Sequence, residues 1–367
     1  MRRQYDRTLE RRTYLTGGMG SNHHGETYGD DFELPSERAY AETCAAVASI
    51  QLAWRLLLAT GEERYADVIE RTLYNSVVSS PSQDGREFFY VNALQRRAPG
   101  IDPEPGVPSL RRTDGRRASW FTTSCCPTNV ARLVASLGSY LATTDPSGIQ
   151  LHQYAAGTLD LAFGDGRRAR LTVATDYPHD GAVTVTVDES DGAEWALGIR
   201  VPGWAREARL EVDGQESPVR PGRTPLTRAW QPGDVVRLRL PMVPRFVLPD
   251  PRIDHVRGSV AVERGPLVYA LESADQPELD LDLVAVDVTH RPEVLDVDLG
   301  LRDVVALRVR GQHRAVASSS TPWPYAEDLV SPAVEPVDLT LIPYFRWANR
   351  GASTMRVWIP RTDVPVS

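Results

Sequence analysis

Three cysteines and one glutamate are the residues whose types and spacing first suggest chemistry. Cys125 and Cys126 are adjacent and are followed at once by Pro127, whereas Cys44 lies far upstream, two residues after Glu42. The chain has only these three cysteines. Zinc in proteins takes four ligands, among them thiolate sulfur and carboxylate oxygen, so these residues predict a tetrahedral metal site. The alternative is that the thiols only fill the core, because free cysteine is among the most buried residue types.

The charge of this ligand set decides which chemistry it favours. Three thiolates and one carboxylate around a zinc ion leave a net charge of about −2, which is poor for activating a bound water molecule. The set therefore disfavours a hydrolytic zinc-water mechanism and allows a thiolate to act as the nucleophile itself. Such a nucleophile needs a general acid/base.

Several carboxylates that precede Cys44 are candidates for the acid/base. Glu26 follows His23 and His24 in a polar loop, but the residues alone do not separate it from Glu33. Each of these carboxylates is otherwise a solvated loop charge, and the two histidines are ligands, a base or simply exposed side chains. The full set of candidates is Glu26, Asp30, Asp31, Glu33, Glu37 and Glu42.

Both pairs of candidate ligands need local structure that lets two nearby residues reach one ion. We expect Cys125 and Cys126 in an irregular turn, with Pro127 in the first turn of the following helix, where its missing N–H costs nothing. Glu42 and Cys44 diverge by about 200° on an ideal helix, so we expect them at the frayed start of a helix.

Hydrophobic periodicity predicts helices in the first part of the chain and strands in the rest. One helix begins near Glu37 and ends before Gly61, a second runs from about Glu62 to Val78, and a third follows Pro127. Beyond residue 148, short alternating runs separated by turn residues predict antiparallel sandwiches. The clearest runs are residues 170–173, 183–187, 210–212, 235–240, 260–262, 267–269, 307–309 and 355–358.

Three helices in about 145 residues do not close a helical domain by themselves. Their apolar faces need partners, because an amphipathic helix is stabilised mainly by packing that face. Either this first part packs on the β region, or it is the tail of a larger helical domain.

The composition limits the class of protein and its partners. With 41% hydrophobic and 25% charged residues in 367, the chain is globular and long enough for two or three domains. A net charge of −8 argues against a nucleic-acid partner. No apolar run is expected to approach the roughly 20 residues that cross a bilayer, and neither a secretory signal nor a disulfide framework is visible. These features predict a cytoplasmic protein without a membrane partner.

Short stretches along nearly the whole chain match the pattern of one family. The most specific combination is Glu42-Thr43-Cys44 with the turn Cys125-Cys126-Pro127. The other matching stretches are residues 17–21, 25–26, 33–35, 39–44, 88–92, 125–129, 200–205, 264–269 and 342–351. Together they resemble glycoside hydrolase family 127, the β-L-arabinofuranosidases.

The resemblance implies an architecture and a set of site residues. It implies part of an (α/α)6 barrel in residues 1–145, followed by two β-sandwich domains in residues 146–248 and 249–367. It places the nucleophile on Cys125, with a glycosyl-thioether intermediate and retention of configuration, the acid/base on Glu26, and a substrate contact on Tyr90. The thiolate then replaces the second carboxylate of the usual retaining pair. The implied zinc ligands are Glu42, Cys44, Cys125 and Cys126.

The resemblance also implies a difference from the family. Family members carry a long helical region before the stretch that matches residues 17–21, so most of the barrel and its sugar-binding histidines are expected outside this chain. The chain is then a truncated or mis-started reading frame, a part completed by a second polypeptide, or a reduced inactive remnant.

Two functions are expected from these features. The first is a zinc-dependent glycosidase whose substrate is an arabinofuranoside or a related plant-type oligosaccharide. The second is an inactive fragment with a structural zinc ion that binds only carbohydrate or a partner subunit. In both cases a helical face left uncovered predicts self-association or a complementing N-terminal polypeptide.

Overall fold

The α-helices lie in the first part of the chain. The computed structural model describes residues 1–110, 115–164, 166–314, 325 and 333–362. Within these residues the α-helices are α1 (Arg2–Arg11), α2 (Thr43–Thr60), α3 (Arg64–Thr72) and α4 (Cys125–Ser136).

Helix α2 supplies much of the core of the first part. The apolar periodicity predicts a buried face that includes Val47, Ile50, Leu57 and Leu58; the first three are buried, but Leu58 is 53% exposed and does not belong to the buried face. The helix ends at Gly61, which has a left-handed φ of 67° and donates its N–H to the carbonyl of Leu57 at 2.8 Å. The predicted end of the helix before Gly61 is therefore confirmed, and glycine suits this left-handed position because it has no Cβ to clash.

The same helix is long and apolar enough, by length and composition alone, to cross a membrane. Its 18 residues have a mean hydropathy of 1.4, and half of them are buried inside the protein. The expectation that no apolar run approaches this length therefore needs correction. The core helix of a soluble protein has the same properties, and α2 packs here against α3 and α4.

The helices differ from the predicted ones at their ends: α2 begins at Thr43 and not near Glu37, α3 begins at Arg64 and not at Glu62, and α1 has no counterpart among the predicted helices. The single buried residue of α1 is Tyr5, whose hydroxyl lies 2.8 Å from the hydroxyl of Ser49. Helix α3 continues as a π-helical turn to Val77, one residue before the predicted end. Helix α4 begins at Cys125 itself and is followed by a 3-10 turn that ends at Tyr140.

Most strands begin at or after residue 148, where the alternating runs predict them. Val183, Val185 and Val187 show the pattern: they point into the core, and the residues between them are more exposed. The strands are β1 (Gln95–Arg96), β2 (Ala142–Asp145), β3 (Gly148–Leu151), β4 (Gly157–Ala162), β5 (Arg168–Thr175), β6 (Ala182–Glu189), β7 (Glu194–Val201), β8 (Arg209–Val212), β9 (Gln215–Pro218), β10 (Gly222–Ala229), β11 (Val235–Arg239), β12 (Arg245–Val247), β13 (Ser259–Arg264), β14 (Leu267–Glu272), β15 (Val284–Val286), β16 (Glu293–Leu295), β17 (Ala306–Arg314), β18 (Val334–Pro343), β19 (Met355–Arg356) and β20 (Ile359–Pro360).

Two sheets in the middle of the chain share one hydrophobic core. One has the order β10–β7–β3–β2, the other β4–β5–β6–β11–β8–β9. Leu197 on β7 and Val185 on β6 belong to the same buried cluster. Strands β3 and β7 run parallel, so the prediction of purely antiparallel strands is wrong for this pair.

The remaining described strands form one sheet, which includes β1 from the first part of the chain. Its main path is β1–β19–β14–β18–β17–β15, and β12, β13, β16 and β20 pair alongside. Strand β14 is buried on both faces. Val268 and Ala270 pack in one cluster with Phe89 of the first part, whereas Tyr269 and Leu271 face a second cluster formed within the sheet region.

The buried guanidinium of Arg117 joins the same two parts of the chain. It donates hydrogen bonds to the carbonyls of Ser79 and Ser80 in the first part and to those of Trp347 and Ala348 near the C-terminus, at 2.7–3.1 Å. Together with strand β1, these contacts show that the first part packs on the β region. That was one of the two alternatives for its unpartnered helices.

The division into three domains at residues 145 and 248 stays a prediction. Strand β1 lies in the first of these segments and pairs with β19 in the third. Residues 315–324, 326–332 and 363–367 of the third segment lie outside the described residues.

Candidate metal and catalytic site

The four predicted metal ligands lie at the N-terminal ends of α2 and α4, which contact each other. Glu42 directly precedes α2 and Cys44 lies in its first turn, while Cys125 and Cys126 are the first two residues of α4. Pro127 is in the same first turn, as predicted. The expected irregular turn is not found: Cys125 and Cys126 are helical, about 100° apart around the axis, and both still reach one centre. The free N–H groups of two helix N-termini favour negative charge there.

The spacing of the ligand atoms fits a tetrahedral zinc ion. The oxygen and three sulfur atoms all lie within 4.8 Å of one another. The Sγ atom of Cys126 is 3.6 Å from that of Cys44 and 4.0 Å from that of Cys125. Cys125 Sγ is 3.5 Å from Glu42 Oε1. Zinc bonds of about 2.3 Å to sulfur and 2.1 Å to oxygen place the corners of a tetrahedron about 3.6–3.8 Å apart. The three pairs measured above, at 3.5–4.0 Å, are close to this value.

Two further side chains contact the sulfur atoms. The hydroxyl of Tyr90 lies 3.3 Å from Cys125 Sγ, and the side-chain amide of Asn129 donates to Cys44 Sγ at 3.0 Å. Tyr90 is held in place by its own backbone, because its carbonyl accepts the N–H of Thr43 at the start of α2. The predicted substrate-contacting tyrosine therefore lies beside the predicted nucleophile.

Burial and mutual hydrogen bonds shift the pKa values of the three thiols in different directions. Burial raises the pKa of Cys125 to about 11, although its contact with Tyr90 opposes this shift. The hydrogen bond between Cys44 and Cys126 lowers the pKa of Cys44 and raises that of Cys126. Burial raises the pKa of Tyr90, so its hydroxyl stays protonated and available as a donor. A bound cation would favour the thiolate form of all three cysteines.

A hydrogen bond from Tyr40 connects Glu26 to the surroundings of the cysteines. Its backbone is left-handed, with φ of 53°, in a turn closed by hydrogen bonds between Asn22 and Thr27. The hydroxyl of Tyr40 donates to Glu26 Oε1 at 2.9 Å, and the Tyr40 ring lies 6.4 Å from the ring of Tyr90. A chain of contacts thus runs from the predicted acid/base to the predicted nucleophile. A left-handed non-glycine residue is strained, and such strain is common at functional sites.

The structure gives other candidate residues different surroundings. Asp31 accepts hydrogen bonds from three arginines in and beside α1, and Glu33 accepts the backbone N–H of Asp30. The ring of His23 packs edge-on against Tyr40 at 5.1 Å, whereas His24 is exposed. None of these contacts reaches the sulfur atoms.

The sequence predictions assign no role to Tyr40, which contacts Glu26, or to Asn129, which contacts Cys44. A signal for Asn129 is present in the sequence, since residues three and four apart lie on one face of a helix and Asn129 follows Cys126 and Cys125 at those spacings. The contact of Tyr40 with Glu26 has no such signal, because a loop of irregular backbone separates them.

Three family models match this chain in order, and all belong to one family. Residues 1–139 match the GH127 catalytic domain of β-L-arabinofuranosidases. Residues 148–242 match the GH127 middle domain, and residues 244–360 match the C-terminal domain of glycoside hydrolase family 127. These are domains of a class of glycoside hydrolases. The chain belongs to glycoside hydrolase family 127.

Individual relatives agree with this assignment. A non-reducing end β-L-arabinofuranosidase from Bifidobacterium longum subsp. longum is 34% identical over 97% of this chain and 54% of its own length. The crystal structure of a GH127 β-L-arabinofuranosidase from Geobacillus stearothermophilus T6 superposes with a TM-score of 0.87 at 33% identity, over 98% of this chain and 56% of that one. Another GH127 β-arabinofuranosidase gives 0.84 at 30% identity, over 98% and 55%. The chain spans about half the length of these relatives.

Proposed function

We propose that this chain carries the catalytic centre of a retaining, zinc-dependent glycosidase that acts on non-reducing-end β-L-arabinofuranosides or a related furanoside. The observation that carries the proposal is the position of Cys125 Sγ, 3.5 Å from Glu42 Oε1 and 3.3 Å from the Tyr90 hydroxyl. The sulfur atom of Cys125 thus lies next to another predicted metal ligand and next to the side chain that is predicted to contact the substrate. The names of the relatives support the choice of sugar.

Glu42, Cys44, Cys125 and Cys126 would hold the zinc ion. When bound, the ion would keep the Cys125 sulfur deprotonated and fixed, as metals do with coordinating thiols. All four corners of the tetrahedron are then filled by protein atoms, in keeping with a nucleophile that is a side chain and not a water molecule.

The residues of the chain supply the bond-making steps. The Cys125 sulfur attacks the anomeric carbon, the bond from that carbon to the leaving oxygen breaks, and Glu26 donates a proton to this oxygen. Water then attacks the same carbon, the carbon–sulfur bond breaks, and Glu26 accepts the proton of the water. Two inversions at one carbon give overall retention. Tyr40 holds the Glu26 carboxylate between these proton transfers.

Hydrolysis of p-nitrophenyl β-L-arabinofuranoside tests these roles. We expect Cys125→Ser and Glu26→Gln to abolish turnover, because each removes a group that takes part in bond making. Glu33→Gln is the matched control, since Glu33 lies in the same loop region and its carboxylate accepts a hydrogen bond from the backbone N–H of Asp30. Full turnover by Cys125→Ser would show that the assigned mechanism is wrong.

A second candidate function is a non-catalytic fragment whose zinc ion is structural. One observation favours it: the ligand set is closed, as in structural zinc sites. In this case zinc removal lowers the melting temperature, carbohydrate binding persists, and the unmodified protein gives no turnover. Turnover by the unmodified protein that is lost in Cys125→Ser would instead show that the chain is an enzyme.

We propose the architecture and partners on the same basis. Residues 1–145 form part of an (α/α)6 barrel, and residues 146–248 and 249–367 form two β-sandwich domains. Exposed apolar side chains in the first part of the chain support self-association or a complementing polypeptide: Leu58 on α2 is 53%, Val134 on α4 57% and Trp120, in the segment before α4, 52% exposed. Gel filtration that gives a clean monomer at high concentration would count against self-association.

A further inference from the structure

Asn129 is the polar side chain on α4 that contacts a predicted metal ligand on the other helix. It lies one turn after Cys125 and Cys126, on the face of α4 that is turned towards α2. Its Nδ2 atom donates a hydrogen bond to Cys44 Sγ at 3.0 Å. The contact joins residues 85 positions apart in the sequence, so it is made only when the two helices are correctly placed.

The orientation of the Asn129 amide is fixed by a second residue. Its Oδ1 atom accepts a hydrogen bond from Arg132 Nη2 at 2.5 Å. The reverse orientation would turn the amide oxygen towards sulfur and the NH₂ group towards a guanidinium that only donates, so both contacts would be lost. Arg132 therefore directs the amide N–H of Asn129 at Cys44.

The sulfur atoms differ in the polar groups that contact them. Cys44 Sγ has the amide of Asn129, Cys125 Sγ has the hydroxyl of Tyr90, and Cys126 Sγ contacts the sulfurs of the other two cysteines. A ligand set of three thiolates and one carboxylate carries excess negative charge of about −2 on a zinc ion. An N–H group that bonds to a thiolate withdraws part of this charge, and residues that hold ligands in this way tune metal binding.

We propose that Asn129 is a positioning residue of the metal site, which orients Cys44 as a ligand and lowers the negative charge on its sulfur, and that Arg132 acts through Asn129. This inference rests on the proposed metal site and not on the proposed sugar or the catalytic roles.

Zinc affinity, measured by competition with a chromophoric chelator, tests the inference without any substrate. Asn129→Leu keeps the side-chain size and removes the donor, and Asn129→Asp replaces the donor by a second acceptor. We expect Asn129→Leu to bind zinc about 10–100-fold more weakly, as is typical when a partner of a metal ligand is removed. Arg132→Gln should fall between this variant and the unmodified protein. The matched control is Ser136→Ala, on the same helix, whose hydroxyl donates to the carbonyl of Leu133.

Cobalt in place of zinc separates positioning from a merely structural role. Removal of the N–H donor makes the Cys44 sulfur more electron-rich, so the sulfur-to-cobalt charge-transfer band of Asn129→Leu should move to longer wavelength, while the d–d bands stay tetrahedral. A helix that is only destabilised would leave the band in place.

Two results would overturn the inference. If Asn129→Leu and Asn129→Asp have zinc affinities within twofold of that of the unmodified protein, and their charge-transfer bands are unchanged, Asn129 has no such role. The proposed enzyme would not be affected by this result. An unmodified protein that binds no zinc would overturn the metal site itself and this inference with it.

Discussion

The buried guanidinium of Arg117 offers a sharp test of how the first part of the chain is held on the β region. Its side chain is 2% exposed and lies 4.3 Å above the ring of Phe89. Replacing it by methionine keeps a long flexible chain of similar length and removes the charge and every donor. The carbonyls of Ser79, Ser80, Trp347 and Ala348 then lose their partner.

The magnitude follows from the number and type of these contacts. Four hydrogen bonds from a charged group, at about 1.5–3 kcal/mol each, set an upper bound of about 6–12 kcal/mol. The variant regains the cost of removing a guanidinium from water, which is several kcal/mol. We therefore expect Arg117→Met to lower the free energy of unfolding by about 3–5 kcal/mol, as for other buried charges whose interactions are broken.

Thermal unfolding followed by circular dichroism measures this loss. A chain of 367 residues has an unfolding entropy of about 0.8 kcal/mol per degree, so Tm should fall by about 4–6 °C if the whole chain unfolds together. The control is Arg86→Met: this arginine is 85% exposed, and its effect should stay within about 0.5 kcal/mol. A Tm shift below 1 °C for Arg117→Met would refute the role of this contact.

Three further results are expected. Gly61→Ala should lower the free energy of unfolding by about 1 kcal/mol in urea titrations, because an alanine is strained at φ of 67°, and Gly61→Asn should cost less; equal stability would contradict the left-handed cap. Asp31→Asn should lower Tm at pH 7, and this difference should shrink as pH falls below about 4. The reason is that the Arg12 guanidinium holds the pKa of Asp31 below its usual value, so the stabilisation is present above the unfolded pKa and is lost at lower pH; a difference that grows in acid would contradict it. Removing zinc with a chelator should lower Tm, by the equivalent of about 2.7 kcal/mol when free zinc had been at 100 times its Kd, and an unchanged Tm would argue against the site.

Much of the β region is predictable from the sequence because its signals are local. In β6 the residues Val183, Val185 and Val187 alternate with half-buried neighbours, and this pattern survives in the folded chain. Helix α1 gives no such signal, since most of its residues are polar and Tyr5 alone is buried. Strand β1 has two residues and pairs with Met355 and Arg356, so only long-range packing creates it.

The sequence predicts the metal ligands of the candidate site, but it does not predict the position of the acid/base. Three thiols and a carboxylate in two clusters of the sequence indicate zinc, because few other uses bring these residue types together. The residues alone do not single out Glu26. Its contact with Tyr40 depends on a left-handed backbone at Glu26 itself, a conformation that a glutamate rarely adopts and that its residue type does not predict.

X-ray absorption at the zinc edge reports the ligands without requiring turnover, and it is therefore the most direct test of the proposed metal centre. For the protein loaded with one zinc ion, we expect three sulfur neighbours at about 2.3 Å and one oxygen at about 2.0–2.2 Å. Cys125→Ser should reduce the sulfur count to two, and the control Ser136→Ala should leave it at three. A spectrum of the unmodified protein with nitrogen and oxygen neighbours only, or with no bound zinc, would show that the assigned ligand set is wrong.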